Sequence, residues 1–108
     1  MDTINKEELL EKIRRKENFH IVDVRDTDDY KKEHIVGAVH LLISDMIRDN
    51  VEALFDKQDL IVTYSQDVDC PAKNIAAEKL KDLGFTNVLA YQESWKDWKK
   101  AGYPTERG

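Results

Sequence analysis

The sequence predicts one α/β domain over residues 1–108: a central, mostly parallel sheet of about five strands with helices on both faces. Two segments, 19–24 and 60–64, are too apolar and β-branched for half-solvated strands, and they suit strands that are covered on both sides. Segments with helical spacing alternate with these strands, and the joints between them are short. This alternation is typical of a layered α/β domain.

The first helix, predicted over residues 6–15, is marked by the residues at its start. Asn5 can cap the helix, and Glu8 three residues later completes a capping box. Ile4 can pack against Leu9 across the helix start. The helix then leads into the first of the two apolar strands.

Between the two apolar strands, the sequence predicts three shorter elements. A short helix ends at Glu33, and Gly37 turns the chain into a small strand at 38–41. Ser44 then caps a helix whose inward face has apolar residues at helical spacing. These residues are Ile47, Val51, Leu54 and Phe55.

The second half of the chain begins with the strand at 60–64 and a polar stretch at 65–70. Pro71, which has a fixed φ and no N–H, suits the first position of the next helix. The predicted inward residues of that helix are Ala72, Ile75, Ala76, Leu80 and Leu83. A strand at 87–91 and a helix at 94–101 complete the domain.

Composition and charge exclude several classes of function. The chain has 22 acidic and 17 basic residues and a net charge of −5, and its basic residues are dispersed, so we expect no nucleic-acid partner. The single cysteine, Cys70, excludes an intrachain disulfide and multi-cysteine metal motifs, and a reducing cytoplasm is the expected location. Apolar runs of only a few residues and a start without a basic, apolar leader predict neither a membrane span nor a secretion signal.

Two histidines are candidate metal ligands. His34 and His40 could bind a metal ion together with Cys70 or an acidic side chain, but their spacing matches no standard motif. We therefore expect neither a metal nor another cofactor.

The stretch from Ser65 to Cys70 is the predicted ligand site. In parallel sheets, ligands bind at the carboxyl ends of the strands, beside the amino ends of the helices that follow. The backbone amides of this loop can form a concave nest, and the following helix adds partial positive charge. The nest would stabilise an anion or a thiolate, and its amides belong to Gln66, Asp67, Val68 and Asp69.

Five sequence segments are weak signals individually, but their order along the chain is a specific signal of a protein family. They are Ile21-Val22-Asp23-Val24-Arg25; Tyr30 with Glu33-His34-Ile35-Val36-Gly37-Ala38; the strand from Leu60 to Tyr64; Leu83-Gly84-Phe85-Thr86-Asn87-Val88; and the stretch from Trp98 to Pro104. In this order they resemble a single-domain rhodanese-like protein of the sulfurtransferase family, over residues 5–105. The resemblance implies a rhodanese-like three-layer domain that transfers sulfur. In such domains, a cysteine directly after the strand before the active loop takes up a sulfane sulfur as a persulfide and passes it to an acceptor.

This sequence has Ser65 where the resemblance implies that cysteine. An oxygen atom cannot hold the transferable persulfide, and a serine hydroxyl is a poor nucleophile without an activating base. Asp67 and Asp69 also add negative charge beside the nest, and like charge opposes thiosulfate. We therefore expect classical thiosulfate sulfurtransferase activity to be weak or absent.

Cys70 resembles the second cysteine that a subset of the family has at the far end of this loop. A helix N-terminus lowers the pKa of a thiol, whereas the two aspartates act in the opposite direction. Two interpretations stay open: a thiol that reacts or carries sulfur, and a small structural residue at the start of a helix. Near the site, Asp23 and Arg25 point the same way from their strand and are expected to pair or to hold loops at the end of the sheet.

Two main classes of function follow from these residues. In the first, the chain is a sulfurtransferase-family domain in which Cys70 carries sulfur between a donor and an acceptor, each a small thiol or a protein. In the second, it is a noncatalytic interaction or regulatory module whose acidic loop recognises a protein partner. A third hypothesis, a redox sensor, depends on oxidation of an exposed, ionised Cys70 thiol.

Overall fold

The computed structural model of the chain describes residues 2–108. In chain order, its elements are β1 (Thr3–Ile4), α1 (Lys6–Arg14), β2 (His20–Asp23), α2 (Thr27–Lys32), β3 (His34–Ile35), β4 (Val39–His40), a 3₁₀ turn (Ile43–Asp45), α3 (Arg48–Leu54), β5 (Leu60–Tyr64), α4 (Ala72–Asp82), β6 (Asn87–Tyr91), α5 (Ser94–Lys100) and β7 (Thr105–Glu106). Helix α4 has 11 residues, and within the described range no helix is long and apolar enough to cross a lipid bilayer.

The predicted α/β fold class is confirmed. The central sheet has five parallel strands in the order β1-β6-β5-β2-β4, with β5 in the middle. Thr63 of β5 lies opposite Val22 of β2 on one side and Ala90 of β6 on the other. Because these strands are parallel, their carboxyl ends meet at one edge, where the loop after β5 lies. Strands β3 and β7 form a separate antiparallel pair.

Two clusters of buried apolar side chains pack on the two faces of the sheet. Ile61 and Val62 are adjacent in β5 and belong to different clusters, as the alternation of a strand requires. Helices α3 and α4 cover the face of Ile61 and contribute Leu80 to it, whereas α1 and α5 cover the face of Val62 with Leu9 and Trp98. The helices therefore lie on both faces, as predicted.

The capping box of α1 is present as predicted. The Glu8 N–H donates to Asn5 Oδ1 at 2.8 Å, and the Asn5 N–H donates to Glu8 Oε1 at 3.1 Å. Ile4, however, belongs to β1, a strand that the sequence did not predict and that pairs with β6. The strands β1, β3 and β7 have two residues each, too few to show a period of two in the sequence.

The helix predicted to start after Ser44 begins later. Ser44 lies in the 3₁₀ turn, and α3 starts at Arg48 after an extended residue, Ile47. Helical spacing counted from position 47 therefore does not apply. Two predicted inward residues are wrong, since Ile47 is 54% and Leu54 50% exposed. The other two, Val51 and Phe55, are buried.

Helix α4 is rotated about its axis relative to the prediction. Pro71 precedes the first helical residue, and Ile75, which was expected in the core, is 51% exposed. The buried side chains are Lys73, Ala76, Ala77 and Leu80. Their spacing is that of an ordinary inward stripe, but the stripe begins at a lysine. A charged side chain can face inward here because the preceding loop supplies its ammonium with acceptors.

We expect truncation of two aliphatic side chains of α4 to change the free energy of unfolding by very different amounts. Leu80→Ala removes a fully buried side chain and should lower the free energy of unfolding by about 2–5 kcal/mol. Ile75→Ala removes a half-exposed side chain and should change it by less than about 0.5 kcal/mol. Urea denaturation followed by circular dichroism measures both changes. Equal losses in the two variants would contradict the rotated orientation of α4.

Candidate functional site

A cleft of about 310 Å³ lies at the carboxyl edge of the sheet, beside the loop between β5 and α4. Its walls come from three parts of the chain: the end of β2, the start of α2, and the loop with the first turn of α4. The residues that line it are Val24, Arg25, Asp26, Asp29, Ser65, Gln66, Cys70 and Ala72. The structure therefore brings the two candidate positions, Ser65 and Cys70, to one cleft.

The carbonyl oxygens in the middle of the loop converge on one buried ammonium group. The Nζ atom of Lys73 donates to the carbonyl oxygens of Asp67 at 2.9 Å, Val68 at 3.1 Å and Cys70 at 2.6 Å. The lysine is fully buried. Its own backbone is attached to the sheet, since Thr63 Oγ1 donates to the Lys73 carbonyl oxygen at 2.9 Å. Lys73 therefore joins the loop to the central strand.

A second serine anchors the beginning of the loop. The Ser65 N–H donates to Ser94 Oγ at 3.1 Å, and the Ser94 hydroxyl donates to the Tyr91 carbonyl oxygen at 2.9 Å. Ser94 is fully buried and has a φ of 65°, in the left-handed region that favours glycine. Its side chain therefore supplies hydrogen bonds that a glycine would lack, at a residue whose backbone conformation a glycine would adopt more easily.

The first turn of α5 also holds the loop. The Trp95 N–H donates to the Ser65 carbonyl oxygen, and the Lys96 N–H donates to the Gln66 carbonyl oxygen, both at 3.0 Å. Amide groups in the first turn of a helix have no intrahelical partner, so they are available for such contacts. The carbonyl groups of the loop are thus bound by α5 at its beginning and by the lysine of α4 further along.

A carboxylate of the loop occupies part of the predicted amide nest. The N–H groups of Asp69 and Cys70 donate to Asp67 Oδ1 at 3.1 and 3.0 Å, and Asp67 Oδ2 lies 3.7 Å from Lys96 Nζ. Val68, at the loop tip, is 60% exposed. The amide of Asp69 is therefore already bound to the protein itself. That all four predicted amides bind a substrate stays a prediction.

The thiol of Cys70 lies among hydrogen-bond donors. Burial raises its pKa, but hydrogen bonds from the backbone of Ala72, the Ser65 hydroxyl and the backbone of Gln66, together with the charge of Lys73, outweigh burial. The pKa of Cys70 is therefore below its ordinary value, which favours the thiolate. Ser65 is almost fully buried, and its Oγ also lies 3.3 Å from the Cys70 carbonyl oxygen.

Lys73 and Cys70 influence each other's charge. Burial lowers the pKa of the Lys73 ammonium, whereas the Cys70 thiol and the carboxylates of Asp67 and Asp69 act in the opposite direction. The ammonium in turn lowers the pKa of the thiol. Each group therefore favours the charged form of the other.

Asp23 and Arg25 form a buried ion pair beneath the cleft. Arg25 Nε and Nη2 donate to Asp23 Oδ2 at 3.0 and 2.9 Å, and Nη2 also donates to the Glu33 carbonyl oxygen at 2.6 Å. The Tyr64 hydroxyl donates to the same carboxylate, and burial, followed by Asp23, raises the pKa of Tyr64 so that it keeps its proton. The guanidinium also lies 4.4 Å from the ring centre of Trp95. Its Nε and Nη2 groups are therefore engaged by acceptors of the protein itself.

Both histidines, His34 and His40, are held by a backbone carbonyl group and by the ring of Tyr30. His34 Nδ1 lies 2.8 Å from the Tyr30 carbonyl oxygen, and His40 Nε2 lies 2.7 Å from the Arg25 carbonyl oxygen. Both rings stack on the Tyr30 ring, at 3.9 and 4.9 Å between centres. Within residues 2–108, no three His, Cys, Asp or Glu side chains are grouped to hold a metal ion.

Sequence reasoning missed Lys73 and Ser94. Lys73 begins an i, i+3, i+4, i+7 series with Ala76, Ala77 and Leu80, so a search for polar residues in apolar stripes would have found it. Ser94 was predicted only as the first residue of the last helix, which gave no reason to expect a contact with Ser65.

The fold and the site together define a three-layer α/β domain with a thiol-bearing loop between the central strand and the following helix. The sequence profile of the Rhodanese-like domain matches residues 5–101. The chain belongs to the rhodanese-like domain family, as its sequence motifs predicted.

Two known proteins are similar to this chain in sequence and a third is similar in structure. It is 33% identical over 95 residues to the uncharacterized protein YibN of Escherichia coli K12, covering 86% of this chain and 64% of YibN. It is also 33% identical over 95 residues to the thiosulfate sulfurtransferase GlpE of Coxiella burnetii RSA 331, covering 84% and 80%. The crystal structure of the BH2092 protein from Bacillus halodurans matches with a TM-score of 0.91 and 28% identity, covering 98% and 77%. The chain thus spans just under two thirds of YibN.

Two substitutions at Ser94 test how the loop is anchored. Ser94→Ala removes both hydrogen bonds of a buried hydroxyl and should lower the free energy of unfolding by about 1–3 kcal/mol. Ser94→Gly loses the same bonds but avoids a cost of roughly 1–2 kcal/mol for a side chain at positive φ. The flexibility of glycine in the unfolded chain offsets only part of this gain. Chemical denaturation should therefore rank wild type above Ser94→Gly, and Ser94→Gly above Ser94→Ala. An alanine variant as stable as wild type would contradict the anchoring role.

Proposed function

We propose that this rhodanese-like domain carries a sulfane sulfur on Cys70, at the far end of the loop rather than at position 65. The observation that supports this proposal is the thiol itself: it lines the cleft and lies among N–H and O–H donors that stabilise negative charge on sulfur. Ser65 then has a new role. Its hydroxyl, which donates to the Cys70 carbonyl oxygen at 3.3 Å, lowers the pKa of the thiol instead of being the group that attacks.

The proposed transfer consists of two exchange steps at divalent sulfur. The Cys70 thiolate attacks the outer sulfur of a donor persulfide, the bond between the two donor sulfurs breaks, and the donor leaves as a thiolate. Cys70 now carries a persulfide. An acceptor thiolate then attacks its outer sulfur, which forms the acceptor persulfide and restores the Cys70 thiolate. The donor is reduced to a thiol as the acceptor thiol is oxidised to a persulfide, so no further oxidant is needed.

The charges around the cleft favour a thiol persulfide over thiosulfate as the donor. Asp26 and Asp29 line the cleft, and Asp67 lies in the loop. The Arg25 guanidinium and the Lys73 ammonium are bound to groups of the protein. A dianion would therefore meet carboxylates beside cations that already donate to protein groups, and at an effective dielectric constant of about 20 each close like charge costs on the order of a few kcal/mol. We propose the persulfide of a small thiol or of a protein as donor, in the reducing cytoplasm.

A noncatalytic interaction module is the second candidate. It is favoured by the loop tip, where Val68 is 60% exposed and Asp69 is exposed beside it. In this alternative, Cys70 is dispensable for partner binding, and changing the tip residues abolishes binding. Retention of binding by Cys70→Ala, together with an absence of sulfur loading, would favour the module over the carrier.

Sulfur loading can be measured directly by intact mass. Incubation with glutathione persulfide should add one sulfur atom to the wild type, and a second thiol should remove it. Cys70→Ser should show no addition; because Cys70 is the only cysteine, that variant has no other thiol. Thiosulfate should load the wild type at least about tenfold more slowly than glutathione persulfide, given the opposing charges. Absence of an adduct with persulfide donors, or an adduct that survives in Cys70→Ser, would overturn the proposal.

The role of Ser65 predicts a shift in the pH dependence of Cys70 reactivity. Ser65→Ala removes a hydrogen bond to the thiolate and should raise the midpoint of the alkylation rate against pH by up to about one pH unit. Thr86→Ala is the matched control, because this hydroxyl donates to the Lys57 carbonyl oxygen elsewhere. Its profile should match the wild type. An unchanged midpoint in Ser65→Ala would show that the hydroxyl does not stabilise the thiolate.

A further inference from the structure

Lys73 combines three features that are unfavourable individually. It is fully buried, its charge lies in the first turn of a helix, and its Nζ atom donates to three neutral carbonyl oxygens. Lysine is seldom fully buried unless it is paired, and the N-terminal end of a helix disfavours a positive charge. Among the described residues, no carboxylate lies within ion-pair distance of this ammonium. A negative charge close to the ammonium would compensate for the cost of burying it at the start of a helix.

The thiol of Cys70 can supply that counter-charge. The Lys73 ammonium donates to the Cys70 carbonyl oxygen at 2.6 Å, its shortest contact, so the lysine fixes the backbone of the cysteine itself. The same carbonyl oxygen lies 3.3 Å from Ser65 Oγ. Because Thr63 of the central strand holds the Lys73 carbonyl group, the lysine is attached to β5 through its backbone and to the loop through its side chain.

We propose that Lys73 is the positioning residue of the Cys70 site: its ammonium holds the carbonyls of the loop so that the thiol lies against its donors, and it is the counter-ion of the sulfur anion. This inference rests on the proposed function in that the sulfur anion of Cys70 is the group Lys73 serves. Nothing in it requires that a persulfide form. A purely structural lysine would stabilise the loop equally with a thiol or a thiolate at position 70.

Alkylation of Cys70 by iodoacetamide, followed by intact mass across a range of pH, tests the role of Lys73. The variants are Lys73→Met, which removes the charge and the donors, and Lys73→Gln, which keeps N–H donors without the charge. We expect the midpoint to rise by about one pH unit in Lys73→Met, so that the rate well below the midpoint falls about tenfold, and to rise less in Lys73→Gln. At high pH, the rates should converge with the wild-type rate, because the thiolate stays accessible.

Lys57→Met is the matched control. The Lys57 ammonium donates to the Leu83 carbonyl oxygen at 2.6 Å and lies 5.2 Å from the ring centre of Phe85, outside the cleft. Its loss should lower the melting temperature and leave the alkylation profile unchanged. If Lys73→Met shifts the profile no more than Lys57→Met does, the proposal is wrong.

A measurement on the wild type covers the case in which neither Lys73 variant folds. The ¹⁵N resonance of the Lys73 ammonium should shift with the same pH midpoint as Cys70 alkylation. A resonance that does not respond to titration of the thiol would overturn the inference. Failure of sulfur loading would overturn the proposed function instead, because alkylation and titration involve no persulfide.

Discussion

The carboxyl edge of the sheet depends on the buried ion pair of Asp23 and Arg25. This pair, together with the Tyr64 hydroxyl, joins the end of β2 to the end of β5, and the contact of Arg25 with the Glu33 carbonyl oxygen adds the end of α2. Buried charges are tolerated only when their donors and acceptors find partners, and Nε and Nη2 of the guanidinium find theirs within the protein. These donors therefore serve the structure of this edge of the sheet.

The loop divides its polar groups between two tasks. Most of its carbonyl oxygens are bound by Lys73 and by the first turn of α5, while N–H and O–H groups surround the sulfur of Cys70. This six-residue, mostly polar loop can stay ordered because its backbone acceptors have partners on two helices. The asymmetry also explains why the pKa of the Cys70 thiol is lowered: the carbonyl acceptors are bound elsewhere, and hydrogen-bond donors lie beside the sulfur.

The sequence predicted the sheet, its helices and the position of the loop because those depend on local signals, such as the apolar run of β5, the cap at Asn5 and the proline at the start of α4. It did not predict β1 or β7, whose two residues acquire a structure only through distant partners. Within the site, it identified Cys70 as a candidate but missed Lys73. A lysine in an inward stripe contradicts simple patterning, and its acceptors are carbonyl groups that no side-chain pattern reveals.

The attachment of the loop to β5, α4 and α5 has a consequence for recognition. The conformational entropy of ordering this segment is lost when the domain folds, not when another molecule arrives, so the cleft is preorganised. A ligand of this cleft would therefore meet a preorganised surface, and its own conformation would make any adjustment that docking requires. The association rate would then depend on the shape and charge of the ligand rather than on a conformational change of the loop.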